Sequence, residues 1–327
     1  MAENSKIDWT HHTFNPWTGC TKVSEGCKHC YAETFSGRKL GTIGEWGPKG
    51  SRKVTSESYW QQPRRWDVAA WEAGERHRVF CASLADVFES QGTMPAESWE
   101  AVQAARRRLW DIIEITPQLD WLLLTKRPEN IARLIDQRWL ENPLPNVWLG
   151  TSVEDQATAD ERIPQLLNVP AAIRFLSCEP LLGPVDLLRT PRPGQHHDFL
   201  TGEYEAARSK SHTARIDWVI AGGESGPGAR PMHPDWARSL RDQCQEAEVS
   251  FLFKQWGEWG LGKDHPDKIT VGSNTQIIRP KDGKHDPLAK IATVMVRVGK
   301  KTAGRELDGR TWDEYPTPLY ATQGGAA

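Results

Sequence analysis

The chain has 327 residues, 41 basic against 43 acidic, and a formal charge of −2, with 38% of its residues hydrophobic. That length can bury a full core, and a near balance of charge argues neither for nor against a nucleic-acid partner, so local charge must decide. No apolar run approaches the ~20 residues that span a bilayer, the polar start Met1-Ala-Glu-Asn-Ser-Lys lacks a signal peptide's apolar stretch, and the cytoplasm is the expected compartment, with no membrane partner.

In chain order, the first element with chemical content is Asn15-Pro-Trp-Thr-Gly-Cys20, continued through Cys27 and Cys30 to Tyr31-Ala-Glu33. Three of the six cysteines fall in this stretch with spacing C-x6-C-x2-C. Short C-x2-C steps let two thiolates turn back onto one metal centre, which suits zinc and iron–sulfur clusters alike. Three thiolates are one short of a closed site. A four-iron, four-sulfur cluster held by three cysteines leaves one iron open to a substrate or cofactor, whereas zinc would recruit His11, His12 or His29 as a fourth ligand. A free-thiol role is the third alternative. Cys81, Cys178 and Cys244 sit within apolar or helical patterns, as expected in a reducing compartment rather than a disulfide framework.

Residues 34–75 show no clean periodicity and mix bases (Arg38, Lys39, Lys49, Arg52, Lys53, Arg64, Arg65) with aromatics (Trp46, Tyr59, Trp60, Trp66, Trp71). From residue 78 short apolar runs alternate with helical patterns. Strands are predicted at 78–84, 121–125, 146–153, 172–177, 216–221 and 249–254, with one more just before Cys20. Helices are predicted over 96–115 (apolar positions Val102, Leu109 and Ile113), 129–138, 155–167 and 234–247. Residues 186–215, poor in apolar side chains, read as an inserted surface loop. Residues 291–298 read as a late strand, followed by a basic stretch with Arg297, Lys300, Lys301, Arg305 and Arg310.

Buried strands separated by helices imply a parallel sheet, and seven of them suit an open or partial (β/α) barrel whose chemistry sits at the C-terminal strand ends. The expected organisation is one barrel over 1–260, with 34–75 as a lid or groove and 186–215 inserted, then an extension over 261–327. Polar residues after each strand are the candidate site: Cys20, Cys27 and Cys30; Ser83 and Asp86; Thr125, Lys126 and Arg127; Ser152 and Glu154; Cys178 and Glu179; Gly222, Gly223, Glu224 and Ser225; Lys254 and Gln255.

The cysteine run, with its Asn-Pro-aromatic-x-Gly-Cys lead-in and Cys-Tyr-Ala exit, resembles the cluster loop of radical S-adenosylmethionine (SAM) enzymes, in particular spore photoproduct lyase and its relatives. Its first spacer is three residues longer than the usual C-x3-C-x2-C, and His29 stands where that superfamily commonly has an aromatic residue. Together with Gly304-Arg-Glu-Leu-Asp-Gly-Arg-Thr-Trp-Asp-Glu-Tyr-Pro316, the chain is similar over most of its length to a phage-associated family of radical-SAM-like proteins.

The resemblance implies a 4Fe-4S cluster on Cys20, Cys27 and Cys30, SAM as cofactor, and an electron donor. It also implies a possible separate partner protein carrying a three-cysteine motif. An acid after the second strand, Asp86, would pair with the SAM ammonium, and Ser152 with Glu154 would contact its ribose. Independently of the resemblance, Thr125, Lys126 and Arg127 suit a phosphate or carboxylate, or else a solvated strand exit. Gly222 to Glu224 stand after the sixth strand, where a Gly-Gly-Glu stretch is not normally found in that superfamily; their expected role is a turn or a backbone contact. Cys178 would donate a hydrogen atom if it faced the cavity, and otherwise belongs to the core.

For the substrate, the basic-aromatic segments 38–71 and 297–310 suit a groove for DNA or RNA, since aromatics stack on bases while cations neutralise phosphate. Their alternative is a tryptophan-stabilised lid over a peptide or small molecule. A non-catalytic, zinc-stabilised nucleic-acid-binding protein is the reading from another class.

Overall fold

A computed structural model describes residues 5, 7–37, 41–188, 195–206, 209–212, 214–270, 272–278 and 292–317. Arg38 and Lys39 of the basic segment, residues 189–194, 207, 208 and 213 of the expected loop, Ile291, and 279–290 and 318–327 of the expected extension lie outside the described residues. The chain falls into two compact units, the first drawn from Met1–Thr151 and Asn168–Arg174, the second from Ser152–Leu167 and Phe175–Pro316.

In the first unit four strands run parallel, β1 (His12–Thr13), β2 (His77–Cys81), β3 (Leu119–Thr125) and β4 (Val147–Ser152). Their registers pair Val79 with Trp121 and Leu123 with Leu149, all four fully or nearly fully buried. Strands covered on both faces need apolar side chains at successive positions rather than at alternate ones, and Trp121-Leu-Leu-Leu supplies them.

The longer helices of this unit are α1 (Tyr31–Gly37), α2 (Gln62–Ala73) and α3 (Ala96–Glu114). Val102, Leu109 and Ile113 of α3 are fully buried, as their spacing predicts. Helix α2 was hidden in the unpatterned segment. Its buried stripe is Pro63, Trp66 and Ala70, and it ends on Gly74 in the left-handed conformation that favours glycine (φ 65°).

Two expectations fail in this unit. Trp60 and Trp66 are 1% and 3% exposed; the edge of Phe14 meets Trp60 at 5.2 Å, and His12 stacks on Trp66 at 4.3 Å. Both are core residues, so neither offers a face to a nucleic-acid base. The helix expected over 129–138 is instead a 3-10 turn and two short helices, Ile131–Leu134 and Arg138–Glu141. Ile135 turns extended between them, and the Gln137 side chain donates to the carbonyls of Ala132 and Ile135, diverting acceptors that a continuous helix would use.

The second unit carries β5 (Ile173–Cys178, from Phe175 on), β6 (Trp218–Gly222) and β7 (Ser250–Gln255), again parallel. Its longer helices are α4 (Gln156–Leu167) and α5 (Pro234–Glu246). Pro234 occupies the first turn of α5, where its missing N–H costs nothing, and His233 Nδ1 accepts from the Asp235 N–H.

The expected loop over 186–215 is corrected. It holds a three-stranded antiparallel sheet (Gln195–His197, Glu203–Ala206, Ser209–His212), anchored by buried Leu187, Phe199 and Leu200. A few well-placed apolar residues were enough to seat it. The late strand, Thr293–Arg297, forms as expected, but in a separate antiparallel sheet with Trp259–Leu261 and Thr275–Ile278.

Seven parallel strands thus follow chain order, β1 to β7. The protein is a mixed α/β fold, consistent with the expected partial (β/α) barrel. No helix among the described residues is long and apolar enough to cross a membrane.

A histidine cluster marks the start of the first unit. His12 Nε2 and His77 Nδ1 lie 3.0 Å apart, His11 stacks on His77 at 4.9 Å, and His11 Nδ1 accepts the Arg78 N–H at 2.8 Å. Burial, then the charges of Arg78 and His77, lower the pKa of His11 to about 4. Below the ordinary histidine value of about 6.5 the unfolded chain binds a proton that the folded chain refuses until about pH 4, so unfolding takes up a proton across that window. Stability present above pH 6.5 should therefore fall as pH drops to about 4. His11→Asn, which keeps an acceptor for Arg78, should flatten this part of the profile in denaturant melts read at successive pH values.

Candidate metal centre and its charged support

The cysteine loop begins where β1 ends. Asn15 fixes that exit: its Oδ1 accepts the Leu84 N–H at 2.7 Å and its Nδ2 donates to Ser83 Oγ at 3.2 Å. Gly19, with φ 105°, then turns the chain so tightly that a Cβ there would lie 2.7 Å from the Glu45 carbonyl oxygen. The loop runs through a 3-10 turn, Glu25–Cys27, into α1, whose first residue, Tyr31, donates its hydroxyl to the Ser83 carbonyl at 2.8 Å.

Cys20, Cys27 and Cys30 are free thiols that keep part of their surface exposed, while Cys81, Cys178 and Cys244 are buried. Cys81 and Cys244 lie in the core as their apolar surroundings imply, and Cys178, the candidate hydrogen-atom donor, is buried with them. By residue type the three are soft donors, outside any disulfide, on one loop at the end of a parallel strand, which is the chemistry a metal or cluster takes. Among the described residues no three His, Cys, Asp or Glu side chains stand gathered as a group that could hold a metal ion.

Beneath the loop lies a network that sequence reasoning missed. Arg52 and Glu89 form a two-pronged ion pair, Nε to Oε2 at 2.9 Å and Nη2 to Oε1 at 2.8 Å, with both side chains 0% exposed. Arg127 pairs with Asp86 at 2.9 Å and lies 3.6 Å from Glu89. Its Nη2 donates to the Thr21 carbonyl at 2.5 Å, and its Nη1 stands 3.9 Å from Cys20 Sγ. Arg106 donates to the carbonyls of Val87 and Glu89, both at 2.8 Å. Although part of Cys20 reaches the surface, burial and the Glu89 carboxylate push its thiol up to about 12, against the pull of Arg127. The signal for Glu89 was present in the sequence: Asp86-Val-Phe-Glu89 places acids three apart within an apolar stretch.

The remaining candidates divide by unit. In the first, Asp86 accepts from Thr125 Oγ1, the Phe88 and Lys126 N–H groups and Arg127, so its oxygens are occupied within the chain. Ser83 and Lys126 are half-buried at their strand exits. In the second unit, Glu154 is 1% exposed and pairs with Arg162 at 3.0 Å; the same guanidinium donates to the Ser152 carbonyl. Cys178 is fully buried, and burial followed by the Glu154 charge raises its thiol pKa well above the ordinary value. Glu224 is held by Arg230 through both oxygens, at 2.8 and 2.7 Å. Gly223 permits a close backbone approach, since a Cβ there would lie 2.0 Å from the Trp256 carbonyl oxygen. Glu179 pairs with Lys254 at 2.7 Å and accepts from Gln255, which also donates to Ser225 Oγ.

The basic-aromatic groove loses members beyond the two buried tryptophans. Arg52 is consumed by Glu89. Arg305 pairs with Asp313, Arg297 donates to the Gly226 carbonyl, and Arg310 lies 3.5 Å from the centre of the Trp312 ring. Arg64, Arg65, Lys300 and Lys301 remain exposed, and Trp71 is 71% exposed on α2.

A family model described as "Protein of unknown function (DUF5131)" matches residues 4–316. The chain belongs to this family. Among curated proteins nothing matches. Among solved structures, three variants of spore photoproduct lyase, two altered at a cysteine and one at a tyrosine, match at 13% identity. Each match covers 91% of this chain and 71% of the other, with a TM-score of 0.42.

The charged support makes a quantitative prediction. Removing one partner of a buried ion pair strands the other, at a cost of about 3–5 kcal/mol. Glu89→Ala should lower unfolding stability by that order in denaturant melts. Glu57→Ala breaks the exposed pair with Arg108 and should leave the midpoint nearly unmoved.

Proposed function

We propose that this chain is a radical-SAM-type enzyme whose 4Fe-4S cluster is held by Cys20, Cys27 and Cys30. The observation that carries the reading is the division of the cysteines: three accessible thiols on one loop at a strand exit, three buried in the core. When bound, the cluster would supply the electron that cleaves SAM reductively, chemistry that no side chain provides.

The chain's own residues do the rest. Asn15 and Tyr31 fix the two ends of the loop through Ser83 and Leu84. Ser83 and Lys126, at exits of the same unit, offer polar contacts to a cofactor, with Thr125 bonded to Asp86 behind them. Asp86, Glu154 and Glu224 hold neighbouring arginines and so keep the strand exits rigid, rather than reaching for the cofactor directly. Cys178, deep in the core, supports its strand in this reading. The substrate we propose is a nucleic acid or nucleotide, supported by the exposed Arg64, Arg65 and Trp71 on α2.

Anaerobically reconstituted protein should carry about four irons and four sulfides per chain, and with SAM and a strong reductant should release 5′-deoxyadenosine. Cys20→Ala, Cys27→Ala and Cys30→Ala should each lose the iron, whereas Cys244→Ala should keep it. Stoichiometric zinc with no cluster would overturn the assignment in favour of the zinc-stabilised alternative. For the substrate, affinity for single-stranded DNA or RNA should fall steeply with salt, and Arg64→Ala with Arg65→Ala should flatten the slope by about one unit per lost phosphate contact. Absence of binding at low salt would shift the substrate to a peptide or small molecule.

A further inference from the structure

The first cysteine has surroundings unlike those of the other two. Thr21, its neighbour, is fixed at every polar atom. Its N–H donates to Glu89 Oε1 at 3.0 Å, and its carbonyl accepts from Arg127 at 2.5 Å. Its hydroxyl accepts from Arg52 at 2.8 Å and donates to the Thr93 carbonyl at 2.7 Å. Cys27 and Cys30 sit instead on a 3-10 turn and at the mouth of α1. The cations in their stretch, Lys22 and Lys28, have side chains 42% and 59% exposed.

Arg127 is the buried cation that reaches this sulfur. It is 4% exposed, pairs with Asp86 at 2.9 Å and lies 3.6 Å from Glu89, and its Nη1 stands 3.9 Å from Cys20 Sγ. A thiolate held there by a cluster would carry the negative charge that a neighbouring guanidinium favours.

We propose that Arg127 is a positioning residue that presents Cys20 as the pre-set ligand and holds a positive charge against its sulfur, raising the reduction potential of the bound cluster. The proposal rests on the cluster reading above. Cluster potentials follow net charge and hydrogen bonds to the sulfurs, and a cation close to the centre favours the reduced, more negative form. Arginine suits both tasks, because its planar fork reaches the Thr21 carbonyl and the sulfur at once while staying charged.

The test is a redox titration of reconstituted protein followed by electron paramagnetic resonance, with iron counted in each variant. Arg127→Gln should move the midpoint to more negative potential, and Arg127→Lys, which keeps the charge, should restore most of the shift. Asp86→Asn, nearly isosteric and therefore safer for folding, should move the midpoint the opposite way. Arg162→Gln breaks a buried pair in the second unit and should lower stability without moving the potential. Unchanged midpoints in both Arg127→Gln and Asp86→Asn, or in Asp86→Asn alone should Arg127→Gln fail to fold, would overturn the proposal while leaving the cluster assignment standing. A wild-type protein that takes up no iron would overturn both.

Discussion

The cysteine loop stands on one buried ion pair. Arg52 and Glu89 are 37 residues apart in sequence and entirely out of solvent. Beyond Glu89, the guanidinium donates to the carbonyls of Glu45, Gly47, Gly50 and Thr93 and to Thr21 Oγ1. One side chain thus draws together the loop before it, the residue after the first cysteine, and the segment leading into α3. Lysine has neither the number of donors nor the fixed fork to do this. The close packing is relieved by glycine where it is tightest: a Cβ at Gly44 would lie 1.9 Å from the Thr18 carbonyl oxygen.

Four carboxylates at strand exits are each paired with a cation. Asp86 meets Arg127, Glu154 meets Arg162, Glu179 meets Lys254 and Glu224 meets Arg230. A parallel sheet concentrates polar residues at these ends because the strands themselves must be apolar. The exits are crowded, and a carboxylate that loses water there must find a counter-charge. These acids brace the strand exits, since groups held by paired charges are rigid.

This explains what was legible in the sequence and what was not. Apolar runs such as Trp121-Leu-Leu-Leu and the 3.6-residue stripe of α3 are signatures of burial, so strands and helices were found where they lie. The rule that polar residues follow the strands placed Asp86 and Thr125 to Arg127 at strand exits, where they meet one another. Residue type alone could not say whether an acid faces a ligand or an arginine 41 residues later, because that depends on which loops meet. The same limit misplaced Arg52, Trp60 and Trp66. In an unpatterned segment a cation and two tryptophans suit a nucleic-acid groove as well as a core. Helix α2 escaped because exposed Val68 and Trp71 blur its three-residue buried stripe.

The C-terminal stretch shows that a run rich in charged and aromatic residues need not mark chemistry. Within Gly304–Pro316, Trp312–Glu314 runs antiparallel along β7, the last strand of the sheet: the Phe253 N–H donates to the Trp312 carbonyl, and the Glu314 N–H to that of Phe251. An open edge strand is a template for unwanted pairing, and covering it with the chain's own backbone removes that hazard. Side chains lock the cover in place. Glu314 Oε2 accepts the Phe251 N–H, Trp218 Nε1 donates to the Glu314 carbonyl, and Asp308 receives both Arg238 and Arg241 from α5. Asp308 does so at φ 55°, a backbone region that Asp tolerates better than most residues. Its paired arginines hold the carboxyl pKa down to about 2, so the lock stays charged across the physiological range. The motif's acidic, basic and aromatic residues, which on composition suit a binding groove, are thus accounted for by the need to close a sheet.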